Sequence, residues 1–459
     1  MGDLAEGEGD LYGAEEVVNR RPSIAFGFLA LIAIGAVLLA SPWARAGSNG
    51  QWGDWLKSLF TACSAVCVTG LSIVDVGTHL TFWGQVVLLV LVEIGCLGLM
   101  TCGTFLLVAV GRRLSLSHEF SLMNAYGVAQ VKGLKGLICW IVGSMLTIEA
   151  LGAAALYVHL GDVYQSIFYS IMGFCNAGFG LRPDSLASFS DSPYFVLVMA
   201  FETILGGIGF LVIYNLCTCR LLRPSGGRGR LTLHTRVVLR FTLYLLAVAF
   251  VLFLASEWNG VLKDMPPVKR AVTAFYQAVT PRTCGFCVVP TEDLNPLTRF
   301  SYIFLMFIGG APGSAAAGMK ITTFAVLLYT WVAMCRGENE TVISKRVVSM
   351  DIVRESIVIL MALIVFVAMV FGIFLVTEAE ALRSGAVALD ALFFEAVSAI
   401  TTTGLSVGST TADLSLAGKC VLMIAMFIGR LGALTVVLMI GDRESVHHIR
   451  YPNEELVVG

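Results

Sequence analysis

Residues 309–320 read GGAPGSAAAGMK and interrupt an apolar run that extends from Phe300 to Trp331. A membrane helix broken by Gly, Ala, Pro and Ser leaves backbone groups without helical partners, and lipid supplies none. Such backbone survives at membrane depth only when it is buried in protein or lines water. Three readings compete: a nucleotide-binding loop, a close helix-packing face, or irregular backbone beside a watery path. The first fails on spacing. Gly313 and Gly318 fit G-x-x-x-x-G, but Met319 stands where the lysine belongs and Ile321 replaces the metal-binding hydroxyl. Small residues do let helices approach closely. Pro312, the several glycines and the length of the run at 299–335 nevertheless favour an interruption over a smooth face.

The whole composition agrees with a membrane setting. Of 459 residues, 57% are hydrophobic and 14% charged, and mean hydropathy is +0.83; soluble domains run at about 45–50% apolar and about 25% charged. A net charge of −2 argues against a nucleic-acid partner. The opening MGDLAEGEGDLYGAEE is acidic and polar, unlike a signal peptide, and Arg20 and Arg21 then precede the first apolar run, which predicts a cytoplasmic N-terminus. The twelve cysteines suggest no disulfide framework, and the Cys63/Cys67 pair in CSAVC reads as helix packing. The six histidines, His79, His118, His159, His234, His447 and His448, fall at loops or span ends, which argues against a haem or quinone enzyme.

Eight stretches are long enough to cross a bilayer, near 23–41, 82–110, 137–160, 193–218, 238–255, 299–335, 352–376 and 418–441. Four shorter segments lie between them, near 52–67, 162–175, 268–281 and 388–401. Basic residues orient the chain. Arg112, Arg113, Lys132 and Lys135 in one loop, and Arg220, Arg223, Arg228, Arg230, Arg236 and Arg240 in another, place those loops inside. The short helices then fall on the outer side.

The pattern long–short–long repeats four times. After each short helix comes a glycine-centred turn: VTGLS at 68–72, NAGFG at 176–180, TCGFC at 283–287 and TTGLS at 402–406. The central glycines, Gly70, Gly178, Gly285 and Gly404, are 108, 107 and 119 residues apart. A second glycine cluster follows each, starting at Ile94, Leu205, Ile308 and Ile428, with its first glycine 25, 28, 24 and 25 residues downstream. Four such turns converging on one axis could replace a cation's water shell with peptide oxygens. The short helices would point the negative ends of their dipoles at it. With no carboxylate in the turns, the pattern suits a monovalent ion.

These turns, the GGAPGSAAAGMK loop, MFIGRLGALT at 426–435 and the ending IRYPNEELVVG resemble the Ktr/Trk/HKT potassium-uptake superfamily, most closely its KtrB branch, over essentially the whole chain. The resemblance implies an all-α integral membrane protein of eight transmembrane helices and four re-entrant pore helices, as four M1-P-M2 repeats in pseudo-fourfold symmetry. The boundaries are a cytoplasmic tail at 1–22, repeats at 23–118, 119–222, 223–340 and 341–445, and a cytoplasmic tail at 446–459. It implies potassium uptake, without a resident cofactor or enzyme activity, by a multi-pass protein of the cell (inner) membrane. A homodimer, a cytosolic nucleotide-binding RCK (KtrA-like) ring and stimulation by sodium are further family expectations. The implied filter is Val68, Thr69 and Gly70; Asn176, Ala177 and Gly178; Thr283, Cys284 and Gly285; and Thr402, Thr403 and Gly404. Potassium would bind at these glycines and no other metal is expected. In this superfamily a serine at the first filter glycine accompanies sodium permeation, and Gly70 therefore favours potassium.

The implied gate is the 309–320 loop, with Gly309, Gly310, Ala311, Pro312, Gly313, Ser314, Gly318 and Lys320, together with Arg430. Ala311, Ala315, Ala316 and Ala317 make this loop poorer in hydroxyls than the usual form, which leaves its closing contacts open. Arg430 is a cation in an apolar helix, expensive at that depth and expected at the pore beneath the filter. Arg282 is expected to brace the third turn. Glu93, Glu149, Glu202 and Glu395 are spread over different repeats, with Glu149 and Glu202 both in the second, and they read as hydrogen-bond partners of nearby backbone rather than as one proton relay. The alternatives are a secondary transporter of another solute, whose usual signature is two inverted repeats, and a sodium-permeable member of the same superfamily.

Overall fold

The computed structural model describes residues 25–47, 50–98, 134–221 and 231–432. The tails at 1–22 and 446–459, the basic loop at 111–136 apart from its last residues, residues 222–230 of that at 219–240, and the ends of two expected spans, after 98 and after 432, lie outside the described residues. So do His118, His447 and His448.

Fourteen helices carry the described fold: α1 (Ala25–Ala40), α2 (Trp55–Val66), α3 (Phe82–Leu97), α4 (Leu134–Leu160), α5 (Val163–Phe174), α6 (Pro193–Ile208), α7 (Phe210–Leu221), α8 (Leu233–Ser256), α9 (Pro267–Val279), α10 (Pro296–Phe307), α11 (Ile321–Cys335), α12 (Met350–Thr377), α13 (Leu389–Ile400) and α14 (Leu416–Leu431). Their starts follow from local chemistry. Asp54, Thr81, Asp162, Ser192, Thr232 and Ser415 accept backbone N–H groups of the first turn. Pro193, Pro267 and Pro296 occupy first-turn positions, where their missing N–H costs nothing.

The expected long spans are not eight uninterrupted helices. Ile138–Leu160, Leu233–Ser256 and Met350–Thr377 are unbroken and of membrane length. The 193–218 span is bent by 93° between α6 and α7. The cause is Gly209, at φ 92° and ψ 141°, a conformation that only glycine adopts readily. α3 and α14 end the same way, on Gly98 (φ 76°, ψ 142°) and Gly432 (φ 87°, ψ 135°). Each of these three helices has 16 residues, which is ~24 Å of rise and short of a full crossing. The 299–335 run is likewise split, into α10 and α11. A small antiparallel hairpin, Val342–Ile343 with Arg346–Val347, is a departure from the all-helical expectation.

Helix packing closes on itself. Within the repeats, α2 packs on α3, α5 on α4 and α6, α9 on α8, and α13 on α12 and α14. Between repeats, α3 meets α5, α6 meets α9, α10 meets α13, and α14 returns to α2. The end of the first helix also binds the start of the second, through a glutamate in the third and fourth repeats and by other bonds in the first two. Thr81 donates its hydroxyl to Trp43 O at 2.7 Å, and Ser192 contacts His159 Nδ1 at 3.3 Å. Glu257 accepts from Asn295 N at 2.8 Å and Thr298 Oγ1 at 2.5 Å, and Glu378 accepts from Ser415 N at 3.1 Å. Because Glu257 is fully buried, Glu257→Ala strands the Asn295 N–H and leaves Thr298 with Ser256 Oγ alone, and we expect ~2 kcal/mol of destabilisation, read as a lower unfolding midpoint in detergent.

Exposed tryptophans at 43, 52, 55, 83 and 258 sit where α1 and α8 end and α2 and α3 begin, so they mark one face of the helix layer as an interfacial belt.

Candidate ion filter and gate

All four turns share a backbone habit that residue types did not announce. Val68 (φ 54°), Asn176 (57°), Thr283 (65°) and Thr402 (48°) are left-handed, and so, two residues on, are Gly70 (91°), Gly178 (68°), Gly285 (79°) and Gly404 (85°). Thr69, Ala177, Cys284 and Thr403 lie between them with ordinary φ. A left-handed residue other than glycine costs ~1–2 kcal/mol, most for β-branched side chains. Repeated four times, the strain marks a site held in place by its surroundings.

The four glycines touch in cyclic order. A methyl built on Gly70 would lie 2.4 Å from Ala177 O, one on Gly178 3.0 Å from Gly285 Cα, one on Gly285 2.8 Å from Thr403 O, and one on Gly404 1.8 Å from Thr69 O. Backbone meets backbone here, which only glycine allows. A cavity of about 230 Å³ opens directly on all four and carries the hydroxyls of Ser72, Ser185, Thr291, Ser406 and Thr411.

The near-constant offset to the second glycines has a physical cause in three repeats. Gly95, Gly206 and Gly429 each face the last carbonyl of a short helix, with an added methyl 2.3 Å from Val66 O, 1.8 Å from Phe174 O and 2.1 Å from Ile400 O. The second helix can thus lie hard against the end of the short helix. Gly309 differs: its methyl would strike Ala317 O of the interrupting loop at 1.9 Å. The third short helix also ends early, at Val279, because Pro281 has no N–H to continue it.

The loop fills the break in the second repeat. Ala311 N donates to Gly207 O at 2.9 Å, Ala315 N to Gly206 O at 3.2 Å, and Phe210 N to Gly313 O at 2.9 Å. Its two ends pair with each other, Gly309 N to Met319 O at 2.9 Å and Ile321 N to Gly310 O at 3.0 Å. The closing contacts are therefore backbone ones, and the buried alanines 311, 315, 316 and 317 are compatible with closure. Ser314 donates to Ala311 O at 2.6 Å, the one loop hydroxyl in play. Pro312 O comes within 2.9 Å of where a Gly209 methyl would be, and Gly318 takes φ 69° at the return bend.

Three cations hold this loop, all through carbonyls. Arg430 donates Nη1 to Ala315 O at 2.8 Å and Nη2 to Gly95 O, with Cys96 O at 3.4 Å. It thereby links the loop and the broken ends of the first and fourth repeats' second helices. Lys320 donates to Ala316 O at 2.6 Å. Arg282, expected at the third turn, instead reaches Gly309 O of the loop at 3.5 Å, at the long limit for such a bond.

The acids need a correction. Glu93, Glu149 and Cys175 come from two repeats, yet one ligand atom of each lies within 4.8 Å of the others. Glu202 is near, sharing Ser170 Oγ (2.5 Å to Glu202 Oε1) with the Glu149 carbonyl (2.7 Å). Membership of different repeats does not keep Glu93 and Glu149 apart, because α3, α4 and α6 all pack on α5. No sequence signal short of the three-dimensional contact could have grouped them.

The described helices are thus organised around a ring of strained glycine turns, with a carbonyl-bound loop at a helix break. Residues 27–446 match the TrkH family of cation transport proteins, and the chain belongs to that family. It is 36% identical over 445 residues to Ktr system potassium uptake protein B of Bacillus subtilis, covering 95% of this chain and 96% of that one. It is 33% identical to the potassium/sodium uptake protein NtpJ of Enterococcus hirae, over 95% and 96% of the two chains. The fold is similar to the crystal structure of the potassium transporter TrkH from Vibrio parahaemolyticus, with a TM-score of 0.68 and 17% identity, covering 91% of this chain and 85% of that one.

Proposed function

We propose that the chain takes up potassium across the cell membrane through a central pore. The carrying observation is the cyclic contact of Gly70, Gly178, Gly285 and Gly404. The carbonyls of the four tripeptides form the filter, about a pseudo-fourfold axis shared by eight transmembrane and four pore helices. Alternating signs of φ gather backbone groups of one kind on one side of a strand, and this suits a column of oxygens facing the ion. The relatives named above for potassium uptake point the same way.

The 309–320 loop is the gate and Arg430 its latch, a positive charge under the filter that also repels cations. Both termini are cytoplasmic, two chains pair, and a cytosolic nucleotide-binding ring acts on the loop from the inner face. The driving force is the ion's own gradient: about 2.3 kcal/mol per charge per 100 mV supports roughly fifty-fold accumulation. Sodium is the second ion to weigh, since one relative is named for potassium and sodium together. Its place here is as an activator, with glycine rather than serine at position 70 keeping it from the filter.

The test is the reversal potential of the purified protein in planar bilayers under opposed potassium and sodium. A potential that follows the potassium gradient is expected. One indifferent to the potassium/sodium ratio would overturn the reading, and saturable proton-coupled uptake of an organic solute would replace it.

A further inference from the structure

Behind the fourth turn a carboxylate is sealed inside the protein. Glu395 lies on α13, nine residues ahead of Gly404, and has no exposed surface. Thr411 donates its hydroxyl to Glu395 Oε1, with Ser406 Oγ 3.1 Å from the same hydroxyl. Glu395 Oε2 is buried without a hydrogen-bond partner. Ser406 and Thr411 both line the cavity that opens on the glycine ring, and Ser406 follows Gly404 by two residues.

The same place in the other repeats is instructive. Nine residues ahead of Gly178 and Gly285 stand Tyr169 and Tyr276. The Tyr169 hydroxyl accepts from Leu181 N at 3.3 Å, just past the second turn, and that of Tyr276 contacts Cys284 Sγ at 3.7 Å, inside the third. The first repeat has Thr61, whose hydroxyl is used within its own helix, on Lys57 O at 2.8 Å. Three repeats thus brace a filter turn from one helical position, and in the fourth the brace is a carboxylate.

We propose that Glu395 is a positioning residue for ion selection, holding the segment just outside Gly404 through Thr411 and Ser406. This rests on the ring being the filter. Discrimination between ions by peptide oxygens depends on where those oxygens are and how stiffly they are held. Without its acceptor, the Thr411 hydroxyl is left to Ser406 Oγ alone, and the 405–411 segment loses its tie to α13. The role lies in accepting a hydrogen bond and not in charge, so an amide of the same shape can perform it.

The experiment compares potassium/sodium permeability ratios, from bi-ionic reversal potentials of the full-length protein, for wild type, Glu395→Gln, Glu395→Ala and Thr411→Val. Glu395→Gln is expected to keep the wild-type ratio. Glu395→Ala and Thr411→Val, still conducting potassium, are expected to lower it by about fivefold, the scale of one lost hydrogen bond. Thr411→Val keeps the test open where Glu395→Ala fails to fold. Wild-type ratios in both of these variants, or a Glu395→Gln ratio as low as that of Glu395→Ala, would overturn the bracing role alone. A wild type without preference for potassium would overturn the filter reading and this one with it.

Discussion

Gly404→Ala is expected to abolish potassium uptake in a protein that otherwise folds, with the initial rate into vesicles falling by about a hundredfold or more. The added methyl would lie 1.8 Å from Thr69 O and 3.3 Å from Gly285 Cα, both backbone atoms. No side-chain rotation relieves that overlap. Gly404 also has φ 85°, where an alanine costs ~1–2 kcal/mol. The chain can respond only by moving the Thr69 carbonyl, one of the oxygens assigned to the ion, so the damage falls on conduction. Gly372→Ala is the matched control, because a methyl there meets nothing within 4 Å and the position is an ordinary one in α12. Uptake of rubidium as a tracer measures both. Wild-type rates in Gly404→Ala would mean that the four turns are not the path.

Arg430→Ala is expected to act in the opposite direction. Its guanidinium binds Ala315 O of the loop and Gly95 O of the first repeat, and so ties the two together. Hydrogen bonds from a charged donor contribute ~1.5–3 kcal/mol each. Losing the bond to the loop alone biases a shut gate toward open by roughly tenfold or more. Removal of the positive charge from the cation's route adds to that. The loop keeps its backbone bonds to Gly206, Gly207 and Phe210, and the gate is loosened without being destroyed. Arg430→Lys separates the two effects: it retains charge but has no planar fork with which to span both carbonyls. Tracer uptake without any regulatory subunit should rank Ala above Lys above wild type. Equal rates in all three would remove Arg430 from gating.

Much of the architecture was legible because it is written as repetition. Four glycine turns, each followed by a second glycine cluster, located the short helices to within about three residues at each end. The reason for that spacing was not legible, since it is an approach of Gly95, Gly206 and Gly429 to carbonyls about 30 residues away in sequence. Hydropathy likewise hid the breaks at Gly98, Gly209 and Gly432, because apolar residues continue past them and hydropathy carries no φ. The interruption at 309–320 could be read from Pro312 and its glycines. What the loop binds could not, because its partners are main-chain groups that any residue supplies. Val68 and Thr402 show the same limit: β-branched residues argue against left-handed backbone, and only the tertiary contacts around them enforce it. The grouping of Glu93, Glu149 and Cys175 across repeats depends wholly on helix packing.

The most direct measurement is anomalous diffraction from crystals grown in rubidium or thallium salts. The account predicts an anomalous peak on the axis enclosed by residues 70, 178, 285 and 404, within coordinating distance of the Thr69, Ala177, Cys284 or Thr403 carbonyls, and its loss in excess sodium without potassium-like ions. No peak there, with bound cations found elsewhere in the membrane domain, would contradict it.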